Sequence, residues 1–254
     1  MPDESPHLVT EAELIEAFRW LGVEGEWAML HSSYKSIAPV EHGPYTVYHA
    51  LRKAVGVEGM TFIPTFNFTS WTMEHYYSLD WTPSEMGIIT EMARKDNLFA
   101  RSDHPIYNFA YFPPVPNWQD KQHAFDGGGL FHEFKRHDGI LINLGVKRED
   151  ENIPWPMVHY AEYMSAADYY RETKTFGGLY VTGDVITTRT YSITVRRPKV
   201  WTRVKPAIDY LIKEGVVFET DICGTYCQYA HASAFVAAMI EICHDHPEWL
   251  YSKG

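Results

Sequence analysis

The feature that most constrains the fold is a strand–helix–strand series with short connections near the start of the chain. Trp27 to Leu30 is a short apolar run that reads as a buried strand. Pro44, then Val47, Tyr48, Leu51 and Val55, follow helical spacing and are closed by Gly56. Met60 to Phe66 reads as the next strand. A series of this kind is the signature of a parallel α/β unit. Ahead of it, Thr10 and Glu13 predict a capping box. Leu14, Ile15, Phe18 and Leu21 then give a helix stopped by Gly22.

Residues Asn67 to Pro83 are rich in Trp, Tyr and Thr and read as a long functional loop. Ser84 predicts the cap of a helix carrying Met86, Ile89, Met92 and Ala93. Further strands are expected at Asn108 to Phe112 and Gly139 to Val146, and helices after Gly127-Gly128-Gly129 and over Met157 to Met164. Between Gly177 and Arg197 apolar residues alternate, with Gly183-Asp184 as a turn, which predicts a β-hairpin extension. A helix at Pro206 to Lys213, a strand at Val216 to Glu219 and a helix from Gln228 to Cys243 complete a single domain over residues 1–254.

The formal net charge of −11 disfavours nucleic acid and anionic membrane surfaces as partners. Three cysteines are too few for a disulfide framework and suit a reducing compartment. The start shows no basic segment followed by an apolar run, so a cytoplasmic location is expected.

Three constellations can carry chemistry. His159 and Glu162, at i and i+3 on a helix, share one face. A carboxylate beside an imidazole fixes its tautomer and suits a general base, although a surface ion pair has the same spacing. His31-Ser32-Ser33 lies at the C-terminal end of a predicted strand, where ligands bind in open α/β sheets; a plain turn would read the same. Arg101-Ser102, with His104 nearby and a helix start at Ser84, could hold a phosphate. The 13 histidines show no three-ligand metal spacing, and no metal is expected.

Taken in order, His31-Ser-Ser33, Gly59-Met-Thr-Phe-Ile-Pro-Thr-Phe66, Pro83-Ser-Glu-Met-Gly87, Arg101-Ser-Asp-His-Pro105, Leu144-Gly-Val146 and His159-Tyr-Ala-Glu162 resemble the aminoglycoside 3-N-acetyltransferase family. The likeness covers roughly Trp27 to Tyr170. It implies a three-layer α/β/α sandwich and an acyltransferase using acetyl-CoA or another acyl-CoA. Carried over by motif, His31, Ser32, Ser33, Ser84, Met86, Gly87, Arg101, Ser102 and Pro105 would line the CoA channel. His159 would be the base and Glu162 its partner.

One departure bears on the acceptor. Family members that modify aminoglycosides usually carry Asn-Thr where this chain has Trp155-Pro156. An indole offers a stacking face, as do Trp71, Tyr76, Tyr77 and Trp81. A nucleotide-linked amino sugar is therefore expected ahead of an aminoglycoside. The rival readings are a metal-dependent hydrolase and a non-catalytic CoA-binding module. A homodimer is compatible with the sequence.

Overall fold

In the computed structural model, which describes residues 7–115, 121–151, 153–166 and 171–253, the capping box is formed. The Thr10 hydroxyl accepts the Glu13 N–H, and the Glu13 carboxylate accepts the Thr10 N–H at 2.8 Å. This opens helix α1 (Glu11–Trp20), followed by β1 (Trp27–Ser32), α2 (Pro44–Val55) and β2 (Met60–Pro64). Next come α3 (Thr69–Thr72), β3 (Tyr76–Ser78), α4 (Ile88–Lys95), β4 (Ala100–Arg101), β5 (Phe109–Phe112), α5 (Leu130–Arg136), β6 (Ile140–Leu144) and α6 (Pro156–Met164). The last third holds β7 (Arg171–Thr182), β8 (Val185–Arg196), β9 (Val200–Thr202), α7 (Lys205–Lys213), β10 (Phe218–Ile222), β11 (Thr225–His231), α8 (Ala232–Asp245) and β12 (Tyr251–Lys253).

Seven strands form one sheet in the order β10-β11-β6-β1-β2-β5-β4. Its centre is parallel, with β1 between β6 and β2. Strands β11 and β5 flank that centre antiparallel, and β10 and β4 close the two edges. Alternation along each strand sorts side chains to opposite faces. Ala28, Leu30, Ile140 and Ile142 pack with residues of α1, α2 and α4. Met29, Phe62 and Leu141 pack with residues of α5, α6 and α8. The result is the expected three-layer α/β/α sandwich.

The hairpin extension is present but begins earlier than expected: β7 and β8 pair from Arg171 with Arg196 to Thr182 with Val185. It takes up β3 as a third strand. The segment expected to be a long loop therefore contains α3 and β3. Gly178 makes this possible, because a Cβ there would lie 2.5 Å from the His75 carbonyl oxygen.

Several boundaries differ from the sequence expectation. Helix α4 starts at Ile88 with Gly87 as its N-cap, at φ 117°, so Ser84 does not cap it. The strand expected at Val216 is Phe218–Ile222. Gln228 is not helical. Thr225–His231 is a strand that pairs with both β10 and β6, and the helix opens only at Ala232. Backbone pairing at the sheet's flank outweighs the helical look of the side-chain pattern there.

Phe62 lies in the middle of this core, fully buried, with ring centroids 5.1 Å from Trp27 and 5.6 Å from Phe134. Phe62→Ala is expected to cost about 3–5 kcal/mol of folding stability, measured by denaturant titration.

Candidate active site

Strands β6, β1 and β2 are parallel and so carry their C-terminal ends to one edge of the sheet. Strand β1 ends in His31 and Ser32, with Ser33 just beyond. The Ser33 N–H donates to Leu144 O at 2.9 Å, tying this turn to the end of β6. Gly145 sits beside it at φ 72°, where a Cβ would come within 2.8 Å of Ser33 O. No larger residue fits that approach. Burial pushes the His31 imidazole down to about 3, so it is neutral at physiological pH.

Helix α6 begins with Pro156 in its first turn, where a missing N–H costs nothing. One turn on, His159 Nδ1 lies 3.1 Å from Glu162 Oε2. A carboxylate only accepts, so Nδ1–H donates and the ring's lone pair is left on Nε2. The Glu162 side chain is fully buried, whereas that of His159 is 30 % exposed. Arg196, at the end of β8, donates from Nη2 to Glu162 Oε1 at 3.1 Å. The carboxylate is thus shared between an imidazole and a guanidinium, which is what keeps a buried charge tolerable.

Two cavities meet at this edge. The first encloses about 260 Å³, and His31, Phe66, Met86, Trp155 and His159 are among the residues on its wall. Thr202 and Val204, from the last third of the chain, also line it. The second encloses about 390 Å³ between Ser32, Ser33 and Lys35 on one side and Gly87 to Thr90 on the other. Met86 lines both. The N-terminus of α4 opens on the second cavity, and with Lys35 it gives that space positive character.

The structure brings together His31, Ser32, Ser33, Met86, Gly87, Trp155, His159 and Glu162. It separates the others from the cavities. Arg101 is turned inward: its guanidinium donates to Thr82 O at 2.7 Å, Leu79 O at 3.0 Å and Asn108 Oδ1 at 2.9 Å. It also lies over the Tyr77 ring at 5.1 Å. Its donors are used on the protein's own carbonyls, so the expected phosphate role is corrected to a structural one. Ser102 is buried and accepts the Phe109 N–H at 3.0 Å. The buried Pro105 offers its carbonyl to Asn108 Nδ2 at 3.3 Å. Ser84 accepts the Met86 N–H at 3.1 Å and contacts the Thr90 hydroxyl at 2.7 Å, so it supports the turn that carries Met86 without lining either cavity.

The expected stacking faces are also revised. Trp71 is fully buried, with its indole N–H donating to Phe176 O at 3.2 Å. Tyr77 is buried as well, and Trp81 is 80 % exposed but on neither cavity wall. Trp155 does line the first cavity, yet it is stacked on Phe235 with centroids 4.7 Å apart and is only 3 % exposed. Sequence reading missed Lys35, Phe68, Tyr107, Thr202, Val204 and Arg196. Lys35 alone carried a signal, being two residues beyond Ser33. Among the described residues no three His, Cys, Asp or Glu side chains are grouped as a metal site, and no helix is long and apolar enough to cross a membrane.

A family model described as aminoglycoside 3-N-acetyltransferase matches residues 29–244. The chain belongs to that family. An aminoglycoside N(3)-acetyltransferase III of Salmonella sp is 43 % identical over 179 residues, covering 60 % of this chain and 60 % of the relative. One of the same name from Acinetobacter baumannii is 28 % identical over the same share. The match thus spans about 60 % of the length of these curated relatives. Among solved structures, AAC-IIIb in a binary complex with CoASH superposes with a TM-score of 0.76 at 15 % identity, covering 92 % of this chain and 96 % of that one. The YokD protein of Bacillus subtilis gives 0.74 at 18 % identity, with 96 % of each chain covered. At these identities the structures speak to the fold, and they agree on the sandwich described above.

Arg101→Gln is expected to cost about 2–4 kcal/mol in a denaturant titration, by stranding carbonyls that the guanidinium now satisfies.

Proposed function

We propose that the chain is a CoA-dependent N-acetyltransferase that transfers acetyl from acetyl-CoA to an amino group of an aminoglycoside. The observation that carries this reading is the position of His159. It lies on the wall of one cavity, backed by a buried carboxylate, and that cavity adjoins a second one across Met86. Family membership supplies the reaction class, and the neighbouring structures support the two ligands. AAC-IIIb was solved with CoASH, AAC(3)-IVa with apramycin and AAC-VIa with sisomicin.

The second cavity suits the CoA arm. Ser32 and Ser33 offer hydroxyls, Lys35 a positive charge, and the start of α4 a positive helix end. The first cavity suits the acceptor. The amine must be neutral to attack, and His159 Nε2 takes its proton as nitrogen bonds to the acetyl carbon. The carbon–sulfur bond breaks and the thiolate leaves, taking up a proton. Glu162 holds the ring and steadies the imidazolium. General-base help of this kind is typically worth ~10²–10⁴-fold.

The residues around Trp155 favour a nucleotide-linked amino sugar over an aminoglycoside, and membership of the family reverses that order. One observation keeps the former as a second reading. Among the described residues lining the first cavity there is no Asp or Glu, while the wall is rich in rings such as Phe66, Phe68 and Tyr107. Such a wall suits an acceptor with a flat apolar part better than a polycation.

His159→Ala should lower turnover at least ~100-fold while CoA still binds, measured by thiol release and by calorimetry. Near-normal turnover would remove the base assignment. Run with acetyl-CoA against aminoglycosides and nucleotide-linked amino sugars, the same thiol assay is expected to respond to the aminoglycosides. Turnover confined to the nucleotide-linked sugars would favour the second reading.

A further inference from the structure

The hairpin extension places one side chain at the Glu162 carboxylate. Arg196 is the last residue of β8, and its Nη2 lies 3.1 Å from Glu162 Oε1, while His159 Nδ1 takes Oε2 at the same distance. The Arg196 side chain is 13 % exposed and that of Glu162 is fully buried, so this contact is poorly screened by solvent. Neighbouring contacts fix the strand in place. Thr194 bonds to His123 at 3.0 Å, His123 stacks on Tyr163 of α6 at 4.4 Å, and the Tyr163 hydroxyl donates to Asp126 at 2.7 Å.

We propose that Arg196 is a positioning residue that keeps His159 available as a base by sharing the charge of Glu162. This rests on the reading of His159 as the base. A buried carboxylate facing an imidazole alone would hold the ring in its protonated form, which cannot accept a proton. A guanidinium on the second oxygen offsets that negative charge and lowers its hold on the imidazolium. Among the described residues that line the first cavity with His159, the other titratable groups are His31 of β1, which is neutral, and the Tyr107 phenol. His31 adds no competing charge at neutral pH. The hairpin is therefore wired to the chemistry of α6.

The direction follows from charge. Removing the guanidinium takes a positive charge from the second Glu162 oxygen, which strengthens the carboxylate's hold on the imidazolium, so the ring retains its proton to higher pH. In Arg196→Gln, the imidazole NMR titration midpoint of His159, assigned by its loss in His159→Gln, should rise by about one pH unit. The acid limb of kcat/KM should rise with it. Arg196→Lys keeps the charge and should hold the midpoint close to that of the unaltered chain. An unmoved midpoint in a folded Arg196→Gln protein, with turnover lowered equally at every pH, would overturn the proposal and leave Arg196 a structural tie. If the Gln variant does not fold, the Lys variant decides, because a full-unit rise with the charge retained would also overturn it. The NMR titration needs no turnover. Failure here is therefore distinct from failure of the base assignment, which shows as activity surviving in His159→Ala.

Discussion

The buried carboxylate of Glu162 is the constraint on which the site depends. A charge removed from water must be matched by partners with good geometry, or it will neutralise or unfold its surroundings. Among the described residues, Glu162 is matched by His159 on its own helix and by Arg196 from the hairpin. Those two contacts fix the imidazole's tautomer, hold α6 against β8 and place the ring on a cavity wall. Ser165, which donates to the Glu162 carbonyl at 3.0 Å, secures the end of the same helix.

The sheet supplies the second half of the site. Three parallel strands end at one edge, and the turn after β1 is held to β6 by a backbone hydrogen bond that only a glycine at position 145 permits. Across from that turn, Gly87 adopts φ 117° and starts α4, so Ser32 and Ser33 face a helix N-terminus with Met86 between the two spaces. Backbone geometry, more than any charged side chain, shapes the groove expected to admit an extended cofactor arm.

Much of this was legible in the sequence. The capping box at Thr10, the strand–helix–strand series, the hairpin around Gly183 and the His159–Glu162 spacing all depend on neighbours close along the chain. What was not legible depends on distant partners. Arg101 looks like a phosphate ligand until three carbonyls and a carboxamide, none adjacent to it in sequence, are seen to use its donors. Trp71 looks like a stacking face until the hairpin buries it. Cys227 to His231 form a strand through pairing with β6, far away along the chain. Arg196 reaches Glu162 across 34 positions of chain, beyond any spacing rule.

His159, on the wall of the first cavity, is expected to stand beside the reacting end of a CoA bound in the second. A crystal structure of the chain with CoA tests this most directly. The arm is expected to pass Ser32 and Ser33, run along Met86 and bring its sulfur into contact with the His159 ring. A CoA lying outside the groove between Ser33 and Gly87, or a sulfur on the far side of the first cavity from His159, would contradict it.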